Sequence, residues 1–168
     1  RAYRQQYGCN FITAIPNNLY GENDNFHLED SHVIPALMRK IWEAKIHGID
    51  HVECWGTGQP LREFTYSQDI VKILLFLLDR YDDETPINIG NTEEYSIEEV
   101  VDMLCDILDY KGTIVWDHTK PSGQYRKPTS NRLLLDLGWE KEWYTPLQEG
   151  LKKTCEWFKM NYPNVRGV

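Results

Sequence analysis

Apolar residues recur along this chain in two rhythms, and their alternation sets the expected fold. FITAI at 11–15 is a short β-branched apolar run of the kind that forms a buried parallel strand, and Pro16 ends it. A loop follows to about Ser31. From 32 to 46 the spacing turns helical, with Ile34, Leu37, Ile41 and Ala44 on one face. HVECW at 51–55 reads as a strand, GTGQP as turn chemistry and EFTYS as a short extended piece. Residues 68–80 form a strongly apolar helix, and INIG at 87–90 another strand. Ser96 and Glu99 make an S-x-x-E capping box for a helix over SIEEVVDMLCDIL. TIVW at 113–116 is a strand, DHTKPSGQYRKP a polar loop, and 131–137 a short helix stopped by Gly138. Thr145 as N-cap, Pro146 in the first turn and Gln148 open a last helix that aligns Leu147, Leu151, Cys155 and Phe158. At the other end, residues 1–7 read as the tail of a helix that Gly8 stops. Interleaved strands and helices without a repeat predict the α/β class.

Composition narrows the function classes. A length of 168 residues, 41% hydrophobic and with six Trp, suits one domain or most of one plus a scrap of another. The net charge of −8, spread along the chain except for Asp82-Asp83-Glu84, argues against nucleic acid or an anionic membrane surface as the main partner. An acidic protein that binds an anion must gather its few basic groups, here Arg39-Lys40, Arg62, Lys120, Arg126-Lys127 and Arg132. The apolar run at 73–78 is far too short to span a bilayer. Four cysteines at 9, 54, 105 and 155 form no CxxC pair, so no zinc knuckle or redox motif is supported. Cys54, Cys105 and Cys155 sit in apolar-periodic segments and read as buried small hydrophobes. With no disulfide pattern, a reducing cytosol is the expected compartment.

Two blocks carry candidate chemistry. PNNLYGENDNFHLEDSHVIP at 16–35 joins an NxYG turn to His32 at a helix start, and WGTGQPLREFTYSQD at 55–69 follows one helix and one strand later. Residue type alone leaves ordinary readings open. The asparagines of PNNLYG can satisfy their own loop backbone, and His32 can be a plain helix-start residue. Trp55 can be packing, and the stretch Lys120–Lys127 a solvated turn. Arg62 offers a guanidinium fork suited to phosphate, or an ion pair with Glu63 or Asp69. His27, Glu29 and His32 lack a recognised metal-ligand spacing, so no metal is expected. Gly56-Thr57-Gly58 has Leu61 where the third glycine of a dinucleotide fingerprint would stand, and reads as a turn.

Taken together, NLYG with DNF, SHVIPAL, WGTGQPLREF, NIG and KPSGQYRK resemble the C-terminal part of the GDP-L-fucose synthases, epimerase-reductases of the extended short-chain dehydrogenase group. The resemblance runs over essentially the whole chain. NxYG and RxF-x4-D are shared by many nucleotide-sugar enzymes; DNF with SHVIPAL is the restrictive pair. It implies that 1–20 is the tail of a Rossmann cofactor domain and 21–168 a GDP-sugar binding domain. NADP(H) would be held mainly by an upstream half that also brings the glycine-rich turn, a Tyr-x-x-x-Lys pair and a cysteine base. This chain alone would then be inactive, and the whole protein cytoplasmic and homodimeric.

The resemblance also assigns roles to individual residues. Pro16, Asn17, Asn18 and Leu19 would line the nicotinamide end of the cofactor, with His32 beside them. Asn17 stands for a more usual Thr, and Glu22 for a more usual Pro. His32 is the implied general acid: a 4-keto group acidifies C3 and C5, and inversion needs a proton returned from the opposite face, which imidazole suits near neutral pH. Lys40, Trp55, Arg62 and Lys127 would contact the GDP-sugar, together with Ser122, which replaces a frequent Asp. The implied reaction is 3,5-epimerisation and NADPH-dependent 4-keto reduction of GDP-4-keto-6-deoxy-D-mannose. The alternatives are another NAD(P)-dependent nucleotide-sugar epimerase or dehydratase, or a non-catalytic nucleotide-sugar binding domain.

Overall fold

A computed structural model describes residues 1–168. In chain order its elements are α1 (Ala2–Tyr7), β1 (Ala14–Pro16), β2 (Asn18–Tyr20), α2 (Val33–His47), β3 (His51–Trp55), β4 (Leu61–Tyr66), α3 (Ser67–Arg80), β5 (Ile87–Ile89), β6 (Glu94–Ser96), α4 (Ile97–Leu108), β7 (Thr113–Asp117), α5 (Arg132–Asp136) and α6 (Leu147–Asn161). A single 3₁₀ turn lies at Lys141–Trp143. The class is α/β, as the alternation of rhythms predicts.

Pairing is mostly parallel. β1 pairs with β5, β2 with β4 and β3 with β7, each in parallel, while β6 adds to β4 antiparallel. Parallel partners need long crossovers, and helices α2, α3 and α4 lie within those connections. Their apolar stripes build the interior. The larger core joins Ile34, Leu37, Met38 and Ile41 of α2 to Val100, Leu104 and Leu108 of α4 and to Leu151, Cys155 and Phe158 of α6, closed by Val52 and Phe64 from the strands. The smaller core gathers Ile70, Ile73 and Leu77 of α3, Ile87 and Ile89 of β5, Leu134, Trp139 and Tyr144, with Ile12, Ala14 and Leu19 against it. It therefore draws on residues from both sides of Tyr20.

Local signals are realised where the chain satisfies itself. Ser96 Oγ accepts from the Glu99 N–H at 3.1 Å while the Glu99 carboxylate accepts from the Ser96 N–H at 2.7 Å, the expected capping box. Differences appear where distant segments compete. The strand expected at 11–15 forms at Ala14–Pro16; β1 has β5 as its one partner, and an edge strand accommodates proline. The expected loop after Pro16 contains β2, and β6 is a further strand without a sequence signal, because both short runs are stabilised only by pairing with β4. Thr145 is not the cap of the last helix; Pro146 occupies that position. Instead Thr145 donates its N–H and hydroxyl to Asp69 at 2.6 and 3.0 Å, since that buried carboxylate needs donors. Cys54 and Cys155 are buried as expected, whereas Cys105 is only partly so. No helix is long and apolar enough to cross a membrane.

Candidate functional site

The chain leaves β1 at Pro16 and enters β2 at Asn18, passing from one sheet to the next. Asn17 holds that passage together. Its N–H donates to Ile89 O at 3.3 Å, and its side-chain amide donates to Asn91 O at 2.7 Å and to the Glu63 carboxylate at 3.3 Å. Its Oδ1 accepts from the Thr65 hydroxyl at 2.7 Å. Asn18 donates to the Glu63 carbonyl at 2.7 Å. With their polar ends fastened inward, Pro16, Asn17, Asn18 and Leu19 present a fixed wall to a cleft of about 330 Å³ that His32 and Phe64 complete. All five residues expected at the nicotinamide end are thus brought together.

His32 is the N-cap of α2, with φ −71° and ψ 165°, yet its side chain makes no capping bond. N-cap positions favour Ser, Thr, Asp or Asn, and forgoing that bond costs about 1 kcal/mol. The imidazole is exposed and faces this cleft and a neighbouring one lined by Leu19, Tyr20 and Glu22. His27, by contrast, is occupied by its own loop: its Nδ1 accepts from the N–H groups of Glu29 and Asp30 at 3.3 and 3.2 Å. No three His, Cys, Asp or Glu side chains are gathered to hold a metal ion.

Beyond Val33 the trough turns cationic. Trp55, the last residue of β3, is 55% exposed, so the packing reading of this side chain does not hold. The ammonium groups of Lys40 and Lys120 each lie 5.7 Å from its ring centroid. Lys40 also donates to Glu53 O at 3.2 Å. Arg62 pairs with neither Glu63 nor Asp69: its guanidinium donates only to Leu61 O at 2.7 Å, which leaves the fork open to a ligand. Trp55, Arg62, Asn18 and Ser122 line one cleft of about 240 Å³. Lys40, Cys54, Trp55 and Trp116 line a second, more apolar one of the same size. Val33 belongs to both and to the His32 cleft, so the three form one elongated site around it.

The glycines of the GTG turn allow this closure. A Cβ at Gly56 would lie 2.7 Å from Ser122 Oγ, and one at Gly58 would lie 2.8 Å from the Trp116 ring, and both glycines have positive φ. The turn is a packing device, in keeping with the missing third glycine. Cys54 is an inert wall of the site, its thiol pushed up to about 11 by burial. Lys127 stands apart: it is exposed on the loop and lines none of these three clefts. Val33, Phe64, Ile97 and Trp116 also line the site, and the Glu63 carboxylate bonds Thr129 of the neighbouring loop; residue type alone marks none of them as a site residue in the sequence.

Residues 1–90 match the epimerase family described as the NAD dependent epimerase/dehydratase family. GDP-L-fucose synthase 1 of Arabidopsis thaliana is 44% identical over 164 residues, covering 98% of this chain and 50% of its own. The GDP-L-fucose synthase of Sinorhizobium fredii is 47% identical over 161 residues, covering 96% of this chain and 51% of its own. A crystal structure of a GDP-L-fucose synthetase from Naegleria fowleri bound to NADP superposes with a TM-score of 0.90 at 37% identity, covering 98% of this chain and 51% of that one. The chain spans about half the length of the curated relatives it matches. With more than half of its residues matched by the family and its parallel strands and crossover helices shared with these structures, the chain belongs to the NAD dependent epimerase/dehydratase family.

Proposed function

We propose that this chain is the substrate-binding half of a GDP-L-fucose synthase, which converts GDP-4-keto-6-deoxy-D-mannose to GDP-L-fucose by 3,5-epimerisation and NADPH-dependent reduction at C4. One observation carries the reading: the trough around Val33 places an uncommitted imidazole, His32, between a rigid segment at the end of β1 and a cationic, aromatic cleft at Trp55 and Arg62. The names of the relatives supply the substrate, and an elongated anionic ligand with a flat base suits this lining.

The residues present fit one end of a nicotinamide cofactor. The cleft begins at the last residue of β1, a strand paired in parallel with β5, and ligands of open parallel sheets lie beyond such carboxyl ends. When bound, the cofactor supplies the hydride for C4. Pro16 to Leu19 orient its reactive ring through a backbone that Asn17 holds fixed. His32 gives a proton from an imidazole nitrogen to the carbon of the enolate formed beside the 4-keto group. Arg62 and Lys40 hold the diphosphate, Trp55 offers a stacking face, Ser122 hydrogen-bonds the ligand, and Lys127, outside these clefts, adds positive charge from the loop. The assignment of 1–20 to a cofactor domain and 21–168 to a substrate domain belongs to the same reading, as do a homodimeric assembly and a cytoplasmic location.

The test is turnover of GDP-4-keto-6-deoxy-D-mannose and NADPH by the full-length protein in deuterated water. GDP-L-fucose carrying deuterium at C3 and C5 supports the reading. NADPH oxidation without deuterium uptake would leave a simple ketoreductase. No turnover, with GDP still bound, would leave a binding domain.

A further inference from the structure

Glu63 and Glu94 are partners across the antiparallel pair of β4 and β6, so their side chains leave the same face of the ladder. Like charges placed directly opposite repel one another, and Glu63 is only 2% exposed. Each carboxylate needs compensation, and both find it in one loop. Glu94 accepts from Arg126 Nε at 2.8 and 2.9 Å, an ion pair that holds its carboxyl below the ordinary range. Glu63 has no cationic partner. Its Oε1 accepts from the Thr129 N–H at 2.9 Å, and its Oε2 accepts both from the Thr129 hydroxyl at 2.5 Å and from the Asn17 amide at 3.3 Å.

The same loop is tied further upstream. The Leu61 N–H donates to Tyr125 O at 2.8 Å, and Ser122 lies against Gly56. Its near end therefore forms a wall of the trough, with Lys120 over Trp55 and Ser122 in the Arg62 cleft. Every residue from Lys120 to Ser130 is exposed, so the loop's far end is held by polar bonds rather than by burial: Thr129 to the buried Glu63, Arg126 to Glu94, and Ser130 O to the Asn88 amide at 3.2 Å.

We propose that Glu63 is a positioning residue for the substrate loop: through Thr129 it clamps the far end of residues 120–129 to the strand that also holds Asn17, and thereby sets the ligand-facing end over Trp55. The inference rests on the functional reading above for the identity of the ligand. A carboxylate offers two acceptor oxygens and so takes the Thr129 N–H and the Thr129 hydroxyl together, whereas an amide has only one acceptor oxygen to offer. The two glutamates divide the work, Glu94 on Arg126 and Glu63 on Thr129, so Lys127 lies between two fixed points.

The test uses the full-length protein with GDP as probe, read by titration calorimetry, and amide hydrogen exchange over 120–129. Glu63→Gln and Thr129→Val each raise the Kd for GDP about tenfold, the double variant no more than either alone, because the two groups act as one unit. Thr129→Ser, which keeps the hydroxyl, stays at the wild-type Kd. Exchange over 120–129 quickens about tenfold in Glu63→Gln while the α2 and α4 amides are unchanged. Unchanged GDP affinity in Glu63→Gln, or additive losses in the double variant, would overturn the proposal. If the wild-type protein does not bind GDP, the functional reading fails instead, and exchange alone decides: an unaltered loop overturns the clamp, a loosened one sustains it.

Discussion

The side chain of Asn17 fills the space that a Cβ at Gly90 would need: such an atom would lie 2.4 Å from the Asn17 Oδ1. Gly90 has φ +130°, a region L side chains rarely adopt, and its carbonyl accepts from Tyr144 OH at 2.7 Å and from Asn131 Nδ2 at 3.0 Å. The glycine of the NIG motif is thus a point of close approach between the β1–β2 passage and the smaller core. Gly90→Ala is expected to cost about 1–3 kcal/mol through backbone strain and displacement of Asn17. Urea unfolding measures it; a loss below about 0.5 kcal/mol would show that the Asn17 amide yields freely.

Asp69 closes the RxF-x4-D block as a structural group. It is fully buried in the first turn of α3, accepts from Thr145 and pairs with Lys72 at 2.9 Å. Asp69→Ala strands the Thr145 N–H and is expected to cost about 1–3 kcal/mol. Because Asp69 lines none of the three clefts, GDP affinity at a temperature where the variant is folded should match wild type. A tenfold loss of affinity with intact stability would place Asp69 in the site instead.

His32→Asn separates stability from chemistry. The imidazole makes no bond that the fold would lose, while Asn is a preferred N-cap and adds about 0.5–1 kcal/mol to helix stability. Deuterium incorporation at C3 and C5 should fall by about 10²–10⁴-fold, the usual span for a proton-transfer group. A raised melting temperature with normal exchange would return His32 to an ordinary helix-start residue.

The thiols set an alkaline limit. Burial pushes Cys155 up to about 12 and Cys54 and Cys105 up to about 11, from an ordinary 9.0. A protonated thiol favoured in the folded state means the unfolded chain releases protons first, so stability is full below about pH 9 and falls as pH rises from there toward the folded values. Chemical unfolding at pH 7, 9 and 10.5 checks the sign. At pH 8 a thiol-specific disulfide reagent should modify Cys9 ahead of the buried Cys54 and Cys155; prompt reaction of all four would contradict the burial.

Much of the site was readable because its residues are close in sequence and their chemistry is carried by type. Pro16 to Leu19 and His32 fall within one block of the chain, and the structure gathers them in one cleft. Residue type alone allows Arg62 either a phosphate or an ion pair, the motif favours the ligand, and the structure shows no pair with Glu63 or Asp69. The strand of Asn18–Tyr20 had no legible signal, since three residues acquire a strand identity only when β4 lies alongside. Glu63 and Thr129 were passed over for the same reason: a bond across 66 positions leaves no local trace.

By itself the sequence determined the α/β class, the order of the long helices, the capping box at Ser96 and Glu99, and the family motifs, because periodicity, capping and motif spacing act over a few residues. The tertiary structure alone decided that two cores share the chain, that Thr145 serves Asp69 rather than its helix, and that Trp55 stands open beneath two lysines. These depend on which distant groups meet, and on the cost of leaving a buried polar atom without a partner, which is settled only when the whole chain has packed.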